Sequence, residues 1–260
     1  MAPSRWWPRS ESGREAAGLV LGLGLGVALW WALAARVGPL LLPTPVAVLD
    51  AIWTERSRLL LACTSTASAA GVGLLAAALL GVTLASASWW SRGVASLILP
   101  YVTLLQVLPI VAIAPLLVVW LGYGTGVATV TALIAAFYPV YASTGTGLRA
   151  PGANLTDLLR LYGASRAHEL WLLRLPSALP SLMAGLRTAG GLSVIGAIVG
   201  EFVGSNGQPP TLGFLVLYGA RSARPDLAFA AISGAAALAL GVQAGVRLLE
   251  RRTIGRWYGR

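Results

Sequence analysis

Few side chains in this 260-residue chain could carry chemistry. Cys63 is the single cysteine and His168 the single histidine, so no intrachain disulfide can form and a Cys/His metal site lacks ligands. Cys63 is expected to pack as a small apolar residue. All 19 basic residues are arginine. Without lysine there is no Gly-x-x-x-x-Gly-Lys-Ser/Thr phosphate loop, and ATP binding of that type must come from a partner. An intramembrane enzyme is unsupported as well, because no Ser/His pair and no acid pair falls in the apolar runs. What remains is three polar side chains set in or beside such runs: Gln106, Arg187 and Glu201. Glu201 could serve a solute pathway or be a structurally paired, water-facing acid near a helix end. Gln106 could offer amide hydrogen bonds to a polar cargo or join two helices. Arg187 could snorkel to headgroups or attract an anion.

One polar stretch is patterned instead of scattered. Residues 157–176 read DLLRLYGASRAHELWLLRLP. Asn154 is expected to cap a helix beginning near Leu155, with Asp157 in its first turn, where a negative charge suits the helix dipole. Leu158, Leu161 and Tyr162 fall at i, i+3 and i+4 on one face. Gly163 can take the left-handed conformation that ends a helix. Ser165 can cap a second short helix, which Pro176 is expected to stop. The corner between them carries Gly163, Ala164, Ser165 and Arg166. Such a hairpin could dock on a protein partner or lie amphipathically on lipid headgroups.

The elements that position these residues follow from composition. Hydrophobic residues make up 57% of the chain and charged ones 11%, against about 25% charged in soluble domains. This is an all-α membrane protein. Six segments reach the roughly 20 residues a span requires: 17–35, 62–88, 95–121, 125–147, 181–203 and 227–247. The first is too long for a signal h-region of about 7–15 residues, so it is expected to be retained. The net charge of +10 flanks the spans instead of forming a nucleic-acid stripe, which leaves membrane lipid as the partner of that charge and excludes nucleic acid. With both termini cytoplasmic, only Arg36, Arg56, Arg58, Arg221 and Arg224 lie outside. Arg5, Arg9, Arg14, Arg92, Arg149, Arg160, Arg166, Arg174, Arg247, Arg251, Arg252, Arg256 and Arg260 lie inside. That bias divides the chain into a cytoplasmic tail 1–16, a transmembrane domain 17–250 with a cytoplasmic loop 148–180, and a basic cytoplasmic tail 251–260. Gly18, Gly22 and Gly26 in the first span, and Gly196 and Gly200 in the fifth, have the spacing of close helix contacts. Pro100, Pro109 and Pro115 punctuate the third span and Pro139 the fourth, each tending to kink it.

The hairpin resembles the cytoplasmic signature of ABC importer permeases, E-A-A, three residues, G, nine residues, I-x-L-P. Asp157, Leu158 and Leu159 stand at the E-A-A positions, Gly163 is the glycine, and Leu173, Leu175 and Pro176 close the motif with its spacing intact. Asp replaces Glu, and Leu-Leu replaces Ala-Ala. LLPTPVAVLDAIW, LQVLPIVAIAPLLVVWLGYG, YGASRAHELWLLRLPSALPSLMAGLR and GEFVGSNGQPPTLGFLV are similar to the nitrate/sulfonate/taurine branch, from about residue 40 onward. The resemblance implies a bacterial inner-membrane, multi-pass permease subunit, not itself an enzyme. It implies a cytoplasmic coupling helix between the fourth and fifth spans that docks into an ATPase cleft. Residues 154–176 would make that contact, through Asp157, Leu161, Tyr162, Gly163, Ala164, Ser165, Arg166 and Pro176. The implied partners are a second permease copy, as a homodimer enclosing the pathway, two ATPase subunits carrying ATP and Mg, and an extracytoplasmic binding protein. No cofactor is expected on this chain. The implied cargo is a small anion such as a sulfonate, taurine or nitrate, with a thiamine-precursor pyrimidine or other aromatic compound as the alternative. An ion-coupled secondary transporter is the competing class. It would want several ionisable residues in its spans, and this chain offers Glu201 and little else.

Overall fold

A computed structural model describes residues 11–258, so Arg5, Arg9 and Arg260 lie outside the described residues, with most of the 1–16 tail. Every regular element among the described residues is helical. Five helices are long and apolar enough to cross a membrane: α1 (Glu11–Val37), α3 (Arg56–Trp90), α6 (Thr125–Leu148), the continuous run Arg166–Gly204, and α11 (Pro225–Tyr258). A sixth span exists if α4 (Arg92–Val107) and α5 (Ile110–Leu121) count together.

That pair corrects the reading of 95–121 as one helix. The two halves meet at 103°. Leu108 sits at φ −65°, ψ 124° ahead of Pro109. A residue before proline is driven out of the α region by the proline ring, and the proline has no N–H to continue the ladder. Pro100, Pro115 and Pro139 are instead carried inside α4, α5 and α6. Two further helices, α2 (Pro45–Thr54) and α10 (Leu212–Arg221), have 10 residues each. At about 1.5 Å per residue they cover about 15 Å and cannot cross a roughly 30 Å hydrocarbon core.

The core is a three-helix seam of α3, α6 and α9 (Leu175–Gly204), built from small residues. Ala77, Ala132, Ala136, Ala189 and Ala197 are wholly buried along it. A methyl group added at Gly196 would lie 2.6 Å from the Thr131 carbonyl oxygen of α6. Gly200 meets Ala128 and Thr131 in the same way. In lipid, where apolar surface gains little by leaving the solvent, this close backbone approach is what holds helices together. The Gly18, Gly22 and Gly26 stripe of α1 faces open space. α1 is tied down near its C-terminal end, where the Trp30 indole N–H donates to the Pro43 carbonyl (3.1 Å) and its ring stacks on Phe229.

Candidate functional site

The hairpin forms at one end of this seam. α7 (Ala153–Leu161) begins after Gly152, whose extended backbone (φ −65°, ψ 157°) starts the helix earlier than the sequence suggested. Asn154 is therefore inside the helix and caps nothing, and Asp157 stands beyond the first turn. The C-terminal end matches expectation. Gly163 has φ +74°. Its N–H donates to the Arg160 carbonyl (2.9 Å), and the Ala164 N–H reaches back to Leu159 (3.0 Å). These two bonds satisfy carbonyls that a helix end leaves open, and they require the left-handed residue that glycine supplies without strain. Ser165 then accepts the His168 N–H (3.3 Å) as the cap of α8 (Arg166–His168).

Pro176 does not stop the second helix. The chain passes from α8 through a π-helical stretch, Glu169–Arg174, straight into α9. In that stretch the Leu175 N–H bonds five residues back to Leu170. The widened turn comes just before Pro176, whose ring would crowd the carbonyl four residues behind it and which has no N–H to donate. The arm and the fifth span are thus one continuous rod.

A buried ion pair clamps that rod to the bundle. Glu169 is 3% exposed. Its Oε1 accepts Nε (2.9 Å) and Nη2 (2.6 Å) of Arg174, and its Oε2 takes a longer contact from Arg160 (3.5 Å). Arg174 also donates to the Leu148 carbonyl at the end of α6 (2.9 Å) and to Thr156 of α7 (3.3 Å). The same guanidinium lies over the Trp89 ring (5.1 Å), and Arg166 donates to the Trp90 carbonyl (2.9 Å). One charge pair therefore joins the ends of α3 and α6 to α7 and the root of α9. Glu169, Arg174 and Thr156 escaped the sequence reading. Positions five apart are not helical neighbours in an ordinary α-helix, and only the π stretch brings 169 and 174 together.

Outside the clamp the corner is bare. Leu161 and Tyr162 are 85% and 84% exposed. Leu155, Leu158, Trp171 and Leu172 are also uncovered, and Asp157 is exposed among them. The hairpin is thus a rigidly rooted projection that presents apolar side chains.

The three pathway candidates are not brought together. Gln106 is exposed one turn before the α4–α5 break. Arg187 pairs with Glu250 of α11 and lines an open cleft of about 360 Å³ with Thr188 and Gln243. Glu201 lies 14 residues further along α9, about 21 Å away at 1.5 Å per residue. It is buried, and its Oε2 accepts the Gly213 N–H (2.8 Å). Thr66 of α3 accepts the Leu212 N–H (3.0 Å), and Thr211 accepts that of Phe214 (3.3 Å). The first three donors of α10, which have no partner within their own helix, are thereby met by three side chains.

Residues 71–255 match the family described as the binding-protein-dependent transport system inner membrane component. A probable ABC transporter permease protein of Haemophilus influenzae is 35% identical over 78% of this chain and 82% of that protein. The formylaminopyrimidine transport permease protein ThiX of Halalkalibacterium halodurans is 32% identical over 68% of this chain and 72% of its own. The taurine transport system permease protein TauC of Escherichia coli is 28% identical over 98% of this chain and 94% of its own.

Proposed function

We infer the function from one premise: the chain belongs to the family of binding-protein-dependent transport system inner membrane components. It is a multi-pass membrane transport subunit, not an enzyme. In our reading it is the permease of an ATP-driven importer, a second copy completes the pathway, and a separate pair of ATPase subunits binds ATP and Mg. An extracytoplasmic binding protein delivers the cargo. The arginine bias supports placing both termini and the 148–180 loop in the cytoplasm, where ATP is available.

The observation that carries this reading is the contrast within the hairpin. Exposed apolar Leu161 and Tyr162 offer a partner surface to bury, while the Glu169–Arg174 clamp makes any push on them a push on α3, α6 and α9. Asp157, Ala164, Ser165 and Arg166 surround that contact, and Pro176 sits at its root. ATPase closure then changes which side of the bundle is open. The α9 face that carries Arg187 is the proposed pathway wall, with Gln106 near the α4–α5 break. Glu201 fastens α10 beside that wall.

A small anion such as taurine or another sulfonate is the proposed cargo, since the likeness to TauC runs over nearly the whole chain. The ThiX likeness supports a formylaminopyrimidine-type cargo as the second reading. The test is reconstitution with the neighbouring ATPase and binding protein. ATP hydrolysis should rise on adding the loaded binding protein, and a Leu161→Glu, Tyr162→Ala double variant should insert normally yet fail to retain the ATPase. Full ATPase retention by that variant would contradict the docking assignment.

A further inference from the structure

Beside the clamp, between α3, α4 and α6, lies a half-open cavity of about 570 Å³ that transport by the hairpin does not use. Its lining includes Trp89, Ser88 and Tyr141, whose hydroxyls lie 3.1 Å apart, and the exposed Arg149. Among the described residues no carboxylate pairs with Arg149. Exposed Leu99 of α4 closes the opposite side, and Ala85, Ala142 and Ala150 complete an apolar lining. The cavity thus sets a cation with no carboxylate partner among the described residues and a hydroxyl pair against an apolar lining of Trp89, Leu99 and alanines.

We propose that this cavity is a binding site for an anionic phospholipid of the leaflet on the hairpin's side, with its phosphate on Arg149 and the start of an acyl chain against Leu99 and Trp89. The donors match a phosphate. A guanidinium offers paired N–H groups to its oxygens, and of the Ser88–Tyr141 hydroxyl pair, bonded to each other, one keeps a proton free to donate. Basic pockets between membrane helices suit such headgroups because the apolar walls strengthen a charge contact that bulk water would weaken. A soluble phosphate would use the arginine but leave Leu99 and Trp89 uncovered. The site is also placed to influence coupling. Trp89 forms its wall and stacks under Arg174, the arginine that ties the hairpin to α6. A bound headgroup would fix that indole and stiffen the root of the arm.

The inference needs only that the chain spans a bilayer, so it stands or falls apart from the ATPase reading. The measurement is native mass spectrometry of the full-length protein released from nanodiscs that contain equal phosphatidylglycerol and phosphatidylcholine. The wild type should retain phosphatidylglycerol selectively. Arg149→Gln should lower that retention roughly fivefold, about the share of one arginine near an anionic surface. Arg149→Lys should keep most of it, and Arg251→Gln should leave it unchanged. Inorganic phosphate at millimolar concentration should not displace the lipid. Equal retention by Arg149→Gln, or displacement by phosphate alone, would overturn the proposal.

Discussion

The continuous rod Arg166–Gly204 holds a buried glutamate near each end, and the contrast between them separates a mechanical joint from a local fastening. Glu169, at the hairpin end, faces guanidinium groups, and through Arg174 it reaches the ends of α3 and α6 and the α7 helix. Glu201, at the other end, accepts one backbone N–H of α10, that of Gly213. A carboxylate that neutralises a largely enclosed arginine cannot lose its charge without leaving that arginine unpaired. A carboxylate that accepts one N–H can be replaced by any group with a similarly placed oxygen. The first arrangement suits transmission of force between helices, and the second suits holding one short helix still.

The largest effect is expected at the clamp. Arg174→Ala leaves Glu169 buried with only the long contact from Arg160, which should destabilise the protein by about 3 kcal/mol. Glu169→Gln should be severe for the complementary reason, and thermal unfolding in detergent would read both. Next in size is Glu201→Ala, which strands the Gly213 N–H in a dry site at a cost of about 1–3 kcal/mol. Glu201→Gln keeps an acceptor oxygen and should be milder than Glu169→Gln by the same assay. If the two glutamines proved equally harmful, the distinction between the two ends would fail. Gly163→Val comes third, since a branched side chain at φ +74° costs about 1–2 kcal/mol. Space around that glycine is open, so its effect should be seen in ATPase docking and not in membrane insertion. Asp157→Asn on the exposed face should shift stability by no more than about 0.5 kcal/mol.

Local chemistry made part of this legible in advance. Long apolar runs announced the spans, Gly163 announced the turn, and Ser165 announced the cap, because each depends on residues within a few positions. The 103° break at Leu108–Pro109 had its prolines in plain view, but a proline can be absorbed into a helix, as Pro100, Pro115 and Pro139 are. The clamp was hidden for a different reason. Arg174 meets the Leu148 carbonyl 26 positions away, and the Leu212 N–H finds Thr66 at a separation of 146. No periodicity encodes such meetings. Asn154 misled because the extended backbone at Gly152 starts α7 early enough to enclose it, and Pro176 misled because the π stretch ahead of it lets the helix run on.

The account turns on what covers Tyr162. A photo-crosslinking amino acid placed at that position in the reconstituted, membrane-embedded transporter reports its neighbour directly. The account predicts a dominant adduct with the ATPase subunit, lost when Gly163 is replaced by valine. Adducts confined to phospholipid, with transport intact, would contradict it.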